Sequence, residues 1–214
     1  MKSHIAWLTI IRVAVVSLPV WAQYAFYYDN GPINGTTDAW TINFGYIVSD
    51  TFVAPDPYLD MFQFGVWEIP GDIMTSVGWS ITSGENSGTV YGSGTATKGD
   101  SLRDAFISTN QYGYDIDLIT VTMYATVTPG TQYWLNLFNA TTPSGDPVYW
   151  DENSGKGCGG TGTGCPSQAS ESGVGTIASE AFTIGWVPTP EPSSILLFGS
   201  GVLGLAGLLR RKLM

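Results

Sequence analysis

The chain has 214 residues with 18 acidic and 8 basic side chains, which gives a formal net charge of −10 at pH 7. Five of the eight basic residues lie near the two ends, so the segment from Gln23 to Pro192 keeps three basic residues against all 18 acidic ones, a net charge of −15. Such a surface repels nucleic acids and anionic lipids, which excludes both as partners of this segment.

A short apolar stretch preceded by basic residues opens the chain. Arg12 is followed by residues 13–21, which carry no charge, and Val20 and Ala22 supply small side chains at positions −3 and −1 of a cleavage site. This pattern predicts a signal peptide over residues 1–22, cut by signal peptidase after Ala22. An uncleaved signal anchor is the alternative.

Short runs of alternating apolar and polar residues fill the segment 23–187, whose length suits one domain. In chain order they are residues 40–44, 62–66, 77–81, 91–96, 119–127, 133–137, 148–150 and 181–185. The segment is rich in Gly, Thr, Ser, Tyr and Trp, which favours strands and turns. The pattern predicts an all-β fold, a single antiparallel β-sandwich of the jelly-roll type.

The longest of these runs predicts a hairpin. Residues 119–127 alternate without interruption, Pro129 and Gly130 form a tight turn, and residues 133–137 begin a second strand. We therefore expect these two runs to pair with each other.

Two cysteines close a short glycine-rich loop. Cys158 and Cys165 are separated by six glycine and threonine residues. In an exported chain they are expected to form a disulfide, which stabilises a loop this short by about 2 kcal/mol. Two thiols without a nearby histidine do not make a zinc site.

The histidine content limits catalysis. The chain has one histidine, His4, which lies in the predicted signal peptide. This excludes Ser-His-Asp and Cys-His catalysis and histidine-ligated metals from the mature segment. Carboxyl pairs remain, but a glycosidase needs two of them about 5–9.5 Å apart across a sugar, and no such pair can be assigned from the sequence. We expect no catalytic residue and no enzyme activity, with a carboxylate-dependent carbohydrate hydrolase as the alternative.

Clustered carboxylate and amide oxygens suit a calcium ion better than catalysis. Asp115 and Asp117 lie two residues apart on a predicted strand, so their side chains point to the same face of it. The candidate ligands are Asp115, Asp117, Asp151, Glu152 and Asn153, with Asp29 and Asn30 before a Gly-Pro turn as a further pair. None has the spacing of a known calcium loop, so solvated loop charge is the alternative explanation. No other cofactor is indicated.

Exposed tryptophan and tyrosine rings form flat surfaces on which sugar rings stack. Trp67, Tyr149 and Trp150 lie beside turn or acidic residues and are the candidates for such a surface. Trp40, Trp79 and Trp134 lie on alternating runs and are expected in the core.

The C-terminal residues have three successive parts. Pro188, Pro190 and Pro192 keep the chain extended. Residues 195–209 carry no charge and form a helix of about 23 Å, close to the ~30 Å hydrocarbon core of a membrane. The basic residues Arg210, Arg211 and Lys212 favour retention on the cytoplasmic side. A processed sorting signal and an uncut membrane anchor both fit this pattern.

These parts resemble the PEP-CTERM sorting domain, also called an ice-binding-protein C-terminal domain. The resemblance rests on Pro190, Glu191 and Pro192, on the glycine-interrupted apolar run and on the basic tail. It implies a Gram-negative bacterium that makes extracellular polysaccharide, and recognition by an exosortase, a membrane cysteine transpeptidase. The protein would then pass from an inner-membrane-anchored intermediate to the cell surface or matrix. The ice-binding label describes the tail and is no evidence of ice binding by residues 23–187.

Residues 23–187 are also similar to a recurrent ectodomain of such proteins that has no assigned activity. The similar segments are residues 29–32, 112–115, 132–135 and 148–153. With the tail, this predicts a signal peptide (1–22), a sandwich (23–187) and a sorting signal (188–214). We expect a non-catalytic binding or structural component associated with polysaccharide, with a hydrolase and a self-assembling matrix protein as alternatives. Exposed stacked rings favour binding, inward-facing carboxylates in a cleft favour hydrolysis, and an uncovered edge strand favours assembly.

Overall fold

The structure is a computed structural model that describes residues 25–153 and 169–186. The predicted signal peptide with its cleavage site at Ala22, the predicted disulfide of Cys158 and Cys165, and the tail with its predicted helix 195–209 lie outside the described residues. Within those two ranges, no helix is long and apolar enough to cross a membrane.

Thirteen strands make up the regular structure of the described residues. They are β1 (Ala25–Asp29), β2 (Ala39–Thr41), β3 (Ile47–Val53), β4 (Tyr58–Glu68), β5 (Ser76–Gly84), β6 (Ser87–Thr97), β7 (Leu102–Thr109), β8 (Asp115–Thr126), β9 (Gln132–Thr141), β10 (Tyr149–Asp151), β11 (Ala169–Glu171), β12 (Gly175–Ile177) and β13 (Phe182–Trp186).

The strands form two antiparallel sheets. In the first sheet, β4 pairs along one edge with β8, which pairs with β7. Along its other edge β4 pairs with β13 over one part of its length and with β10 over another. β13 in turn pairs with β1, and β10 pairs with β2. The second sheet has the order β12-β11-β3-β9-β5-β6. The predicted all-β sandwich is therefore confirmed, and the jelly-roll subtype stays a prediction.

Alternating side chains from both sheets fill the space between them. Phe62, Phe64 and Val66 of β4 point inward with no exposed surface, as do Leu135 and Leu137 of β9. Burying a large apolar side chain stabilises a fold by roughly 1.5–3 kcal/mol, so this periodic pattern explains why the two sheets stay together. Trp79 is buried in the core as expected, and Trp40 is partly buried against the core. Trp134 is also buried but lies outside the core cluster, because it alternates on β9 with the inward-facing Leu135.

The predicted hairpin between residues 119–127 and 133–137 is wrong. β8 belongs to the first sheet and pairs with β4 and β7, whereas β9 belongs to the second sheet and pairs with β3 and β5. The turn itself exists, because the amide of Thr131 donates to the carbonyl of Thr128 at 3.2 Å. The segment forms an arch that crosses from the first sheet to the second. β8 and β9 each turn one face toward the core, and they do so from opposite sides of it.

The strand register defines two ends of the sandwich. Ala25 pairs with Trp186, and Gly185 pairs with Met61. From Met61, β4 runs six residues to Trp67, a distance of about 20 Å at ~3.3 Å per residue. We call the end at Ala25 and Trp186 the tail end, and the opposite end, at Trp67, the far end.

Candidate functional site

Four aromatic rings cluster on the outer side of the first sheet at the far end. Trp67 of β4 and Tyr149 of β10 are direct cross-strand neighbours. The ring of Tyr112 stacks on Trp67 with centroids 5.6 Å apart and an interplanar angle of 24°. Tyr114 lies 5.9 Å from Trp67 and meets Tyr149 edge to face at 5.8 Å. We call Trp67, Tyr112, Tyr114 and Tyr149 the aromatic platform.

The loop between β7 and β8 holds Tyr112 and Tyr114, the two tyrosines of the platform that were not predicted from the sequence. The Oδ1 atom of Asn110 accepts hydrogen bonds from the backbone amides of Tyr112 and Tyr114, both at 3.0 Å. Gly113 lies between them with φ of 85°, a conformation that favours glycine. The side chain of Tyr112 is 57 % exposed while one face rests on Trp67. Its outer face is therefore held in place and open to a ligand.

Asp151 anchors the tryptophan beneath the tyrosines. Its Oδ1 accepts from the indole Nε1 of Trp67 at 2.7 Å, and its Oδ2 accepts from the amides of Asn34 at 2.9 Å and Gly35 at 3.1 Å. Burial raises the pKa of Asp151, and these three hydrogen bonds oppose that rise. The carboxylate thus positions the platform and lies with no exposed surface.

Trp150 does not belong to the platform, contrary to its prediction as a ligand-binding ring. It has no exposed surface, and its Nε1 donates to the carbonyl of Ala181 at 3.0 Å. Phe64 and Phe182 pack edge to face against it. It points inward because it alternates with Tyr149 and Asp151, and so it has no ring face free for a sugar.

The predicted calcium ligands fall into two separate groups. Asp115 and Asp117 lie on β8, and both face the core side of the first sheet, as their spacing predicts. Asp151 lies on β10, Glu152 forms a bridge with Glu180, and the Nδ2 of Asn153 donates to the carbonyl of Asn30. In residues 25–153 and 169–186, no three His, Cys, Asp or Glu side chains are arranged to hold a metal ion. Calcium binding therefore stays a prediction.

A buried carboxyl cluster lies inside the far end. Glu68 of β4 and Asp117 of β8 continue the inward-facing rows of the core, and Asp104 joins them from β7. Glu68 has no exposed surface and Asp117 is 4 % exposed. The Nζ atom of Lys98 lies 3.8 Å from the Oδ2 of Asp104 and supplies a positive charge at the edge of the cluster.

Burial raises the pKa values of this cluster. Desolvation and the charges of Asp104 and Asp117 raise the pKa of Glu68 to about 8. Desolvation also raises the pKa of Asp117 to about 6, while a hydrogen bond from Glu68 opposes the rise. Glu68 is therefore the carboxyl group that keeps its proton at neutral pH, and neither of its oxygens meets a hydrogen-bond donor among the described residues.

The carboxyl cluster does not have the geometry that the hydrolase alternative requires. Glu68 and Asp117 lie on the inward face of adjacent strands and interact inside the core, whereas glycosidases hold two carboxyl groups about 5–9.5 Å apart on either side of a sugar. Their burial leaves almost no surface for a substrate. The arrangement fits a structural role inside the core.

A second buried acid group lies between the sheets. Asp50 of β3 faces the core, and its Oδ2 accepts from the amide of Glu180 at 2.7 Å and from the Nδ2 of Asn30 at 3.2 Å. Glu180 has no exposed surface, and burial followed by the charge of Asp50 raises its pKa well above the usual range. Asp50 thus belongs to a buried hydrogen-bond network, whereas the carboxyl oxygens of Glu180 have no hydrogen-bond partner among the described residues.

The tail outside the described residues decides how the chain is sorted. Residues 188–212 match the family model of the PEP-CTERM protein-sorting motif. The resemblance drawn from Pro190, Glu191 and Pro192 is therefore confirmed. The motif indicates an exported protein that is sorted by an exosortase through a membrane-anchored intermediate. The match covers the tail alone, and no curated protein matches the chain significantly.

The PEP-CTERM motif begins two residues after β13 ends at Trp186. Two residues span at most about 7 Å. The motif therefore leaves the sandwich from the tail end, which is also where β1 begins at Ala25. The aromatic platform lies at the far end, opposite to the end of the sandwich at which β13 finishes.

Proposed function

We propose that this exosortase-sorted protein binds extracellular polysaccharide through the aromatic platform and does so without catalysis. The observation that carries the proposal is the stack of Tyr112 on Trp67, in which a tyrosine at 57 % exposure is held flat by the ring below it. A fixed ring loses little conformational freedom when a sugar stacks on it, which favours binding.

The position of the platform supports this role. A membrane-anchored intermediate holds the tail end toward the membrane, so the platform faces outward, about 20 Å farther along β4. The net charge of −15 repels anionic polymers, and we therefore infer that the ligand is a neutral glycan. The resemblance of the tail implies a Gram-negative host that makes extracellular polysaccharide, whose charge the tail does not specify.

Binding by the full chain to soluble neutral glucans, mannans and the host's own polysaccharide tests the proposal, with and without calcium. We expect saturable binding that Tyr112→Ala weakens at least tenfold and Tyr112→Phe retains, because the ring face is what the sugar meets. Tyr124→Ala is the matched control, since Tyr124 is 65 % exposed on β8 and stacks on Tyr58, outside the platform. Equal losses in Tyr112→Ala and Tyr124→Ala, or no binding to any glycan, would contradict the proposal.

One observation favours self-assembly as a second candidate function. β7 pairs with β8 on one side in the first sheet, and its residues Phe106 and Ile107 are 62 % and 45 % exposed. An edge strand with exposed apolar side chains can add a strand from another copy. Light scattering of the full chain and of Ile107→Lys tests this, because a charge on the edge should lower the mass of any assembly. An unchanged mass distribution would remove this candidate.

A further inference from the structure

A surface cavity of about 370 Å³ lies at the far end of the sandwich, apart from the aromatic platform. Phe44 and Asn139 line it together with Thr141, Thr142 and Asp146. Phe44 follows β2, and Asn139 lies near the end of β9. We propose that this cavity is a second saccharide-binding subsite, which takes one sugar residue of a neutral glycan.

The backbone at Phe44 is the first observation behind the proposal. The amide of Tyr46 donates to the carbonyl of Asn43 at 3.0 Å, and the two central residues, Phe44 and Gly45, have φ of 56° and 89°. Both values belong to a turn that favours Asn-Gly. A bulky residue with positive φ is an outlier, and such outliers concentrate at functional sites.

Burial of the side chain does not explain why Phe44 occupies this turn. It is 64 % exposed, so the strained backbone is not repaid by packing in the core. The ring is instead held at the rim of the cavity, where a sugar can stack on it.

The bulge in β9 is the second observation. Asn139 has φ of 50°, and the pairing of β9 with β5 shifts register between Phe138 and Thr141. This irregularity leaves the Asn139 side chain exposed at the cavity. Of the three non-glycine residues with positive φ in the described ranges, two line this cavity, and the third, Asn86, lies in the turn between β5 and β6.

The lining matches the chemistry of a sugar. Phe44 offers an apolar face, Asn139 offers an amide, and Asp146 offers an acceptor. The hydroxyl groups of Thr141 and Thr142 line the cavity as well but already bond to Thr75, Ser76 and Ser144. The named lining groups include no cation to attract an anionic ligand. The volume lies at the lower end of the range for small-ligand pockets, which suits a single sugar residue.

The position of the cavity links it to the platform, and this part of the inference rests on the proposed function. The short arch 54–57 joins β3 to β4 at the tail end, so β3 begins at the far end, next to the Phe44 turn. Asp146 of the cavity precedes Tyr149 of the platform by three residues, which span at most about 10 Å. One glycan chain can therefore reach both sites.

Amide NMR shifts of the full chain with glucose, galactose and mannose test the cavity by itself. We expect shifts at Gly45 and Asn139 for at least one of the three sugars. Polysaccharide binding is then compared in Phe44→Asn, Tyr112→Ala and Asn86→Gly. Phe44→Asn should raise Tm by about 2–4 °C because it relieves the strained turn, and it should weaken binding at least fivefold. Asn86→Gly is the control for a left-handed position outside the cavity and should leave binding unchanged.

The outcomes separate the two sites. Binding that Tyr112→Ala weakens and Phe44→Asn leaves intact, with no sugar shifts at Gly45 or Asn139, would overturn the second subsite and leave the platform in place. Shifts at Gly45 and Asn139 with no effect of Tyr112→Ala would support the cavity and overturn the platform. Higher Tm with lost binding in Phe44→Asn is the expected result, and a purely structural role of Phe44 would not produce it.

Discussion

Glu68 and Asp117 are diagonal neighbours across the β4–β8 ladder, and the charge of Asp117 helps Glu68 to keep its carboxyl proton. Glu68 holds this proton up to a pH of about 8, although an exposed glutamate releases it near pH 4.5. The far end of the sandwich therefore contains a buried acid whose protonation depends on folding.

Folding stability should fall as the pH rises from about 5 to 8. The unfolded chain releases the proton of Glu68 near pH 4.5, whereas the folded chain keeps it until about pH 8, so each step upward in this window favours unfolding. The raised pKa of Asp117, about 6, adds in the same direction. Urea unfolding at several pH values measures the slope. Glu68→Gln should flatten it, because the amide has no proton to lose.

Asp60→Asn is the control for this measurement, since it removes one carboxyl from the same strand outside the cluster. It should leave the slope as it is in the wild type. A wild-type stability that rises between pH 5 and 8, or a slope that Glu68→Gln does not change, would contradict the raised pKa of Glu68.

Trp150→Ala should destabilise the fold by about 3–5 kcal/mol, because it opens a cavity in a fully buried position between Phe64 and Phe182. Tyr112→Ala should change stability by about 1 kcal/mol or less, since much of its surface is exposed. Denaturant midpoints of the two variants check this. Similar losses of stability would mean that Tyr112 has a structural role as well.

Asp151→Ala should destabilise the fold and loosen the platform together. It leaves the indole Nε1 of Trp67 and the amides of Asn34 and Gly35 without their acceptor, and each unpaired buried donor costs about 1–3 kcal/mol. The emission of Trp67, isolated by comparison with Trp67→Phe, should shift to longer wavelength as water enters. An unshifted spectrum would show that other contacts are enough to hold the indole.

Removal of divalent cations should leave the stability of the sandwich unchanged. Both oxygens of Asp151 already accept hydrogen bonds from the protein, and Asp117 is paired with Glu68. Thermal unfolding with EDTA and with added calcium measures this. A higher Tm in calcium that Asp117→Asn or Glu152→Gln abolishes would instead establish the structural calcium site predicted from the sequence.

The sequence predicted the sandwich because period-two patterns follow directly from burial of one strand face. It could not predict that β8 and β9 belong to different sheets, because a hairpin and an arch between sheets bury the same residues around a turn such as Pro129 and Gly130. Long-range pairing with β4 and β3 decides between them.

The same reason explains which site residues were missed. Trp67 and Tyr149 were predicted from their neighbours as exposed rings, but Trp67 is only 6 % exposed and lies beneath Tyr112. Tyr112 lies 45 positions after Trp67, and only the tertiary fold stacks the two rings. Glu68 and Asp104 likewise meet Asp117 through strand register. Asp50 did carry a local signal, since it replaces an apolar residue between Val48 and Phe52 on the inward face of β3.

The antiparallel ladder of β13 and β4 also sets how the protein carries mechanical load. The tail would pull β13 from Trp186 toward the cell, while a glycan held at Trp67 would pull β4 in the opposite direction. Because the two strands are aligned with this force, the hydrogen bonds between residues 182–185 and 61–64 would be loaded in shear, all at once. A tether built in this way resists tension better than one whose bonds open one after another.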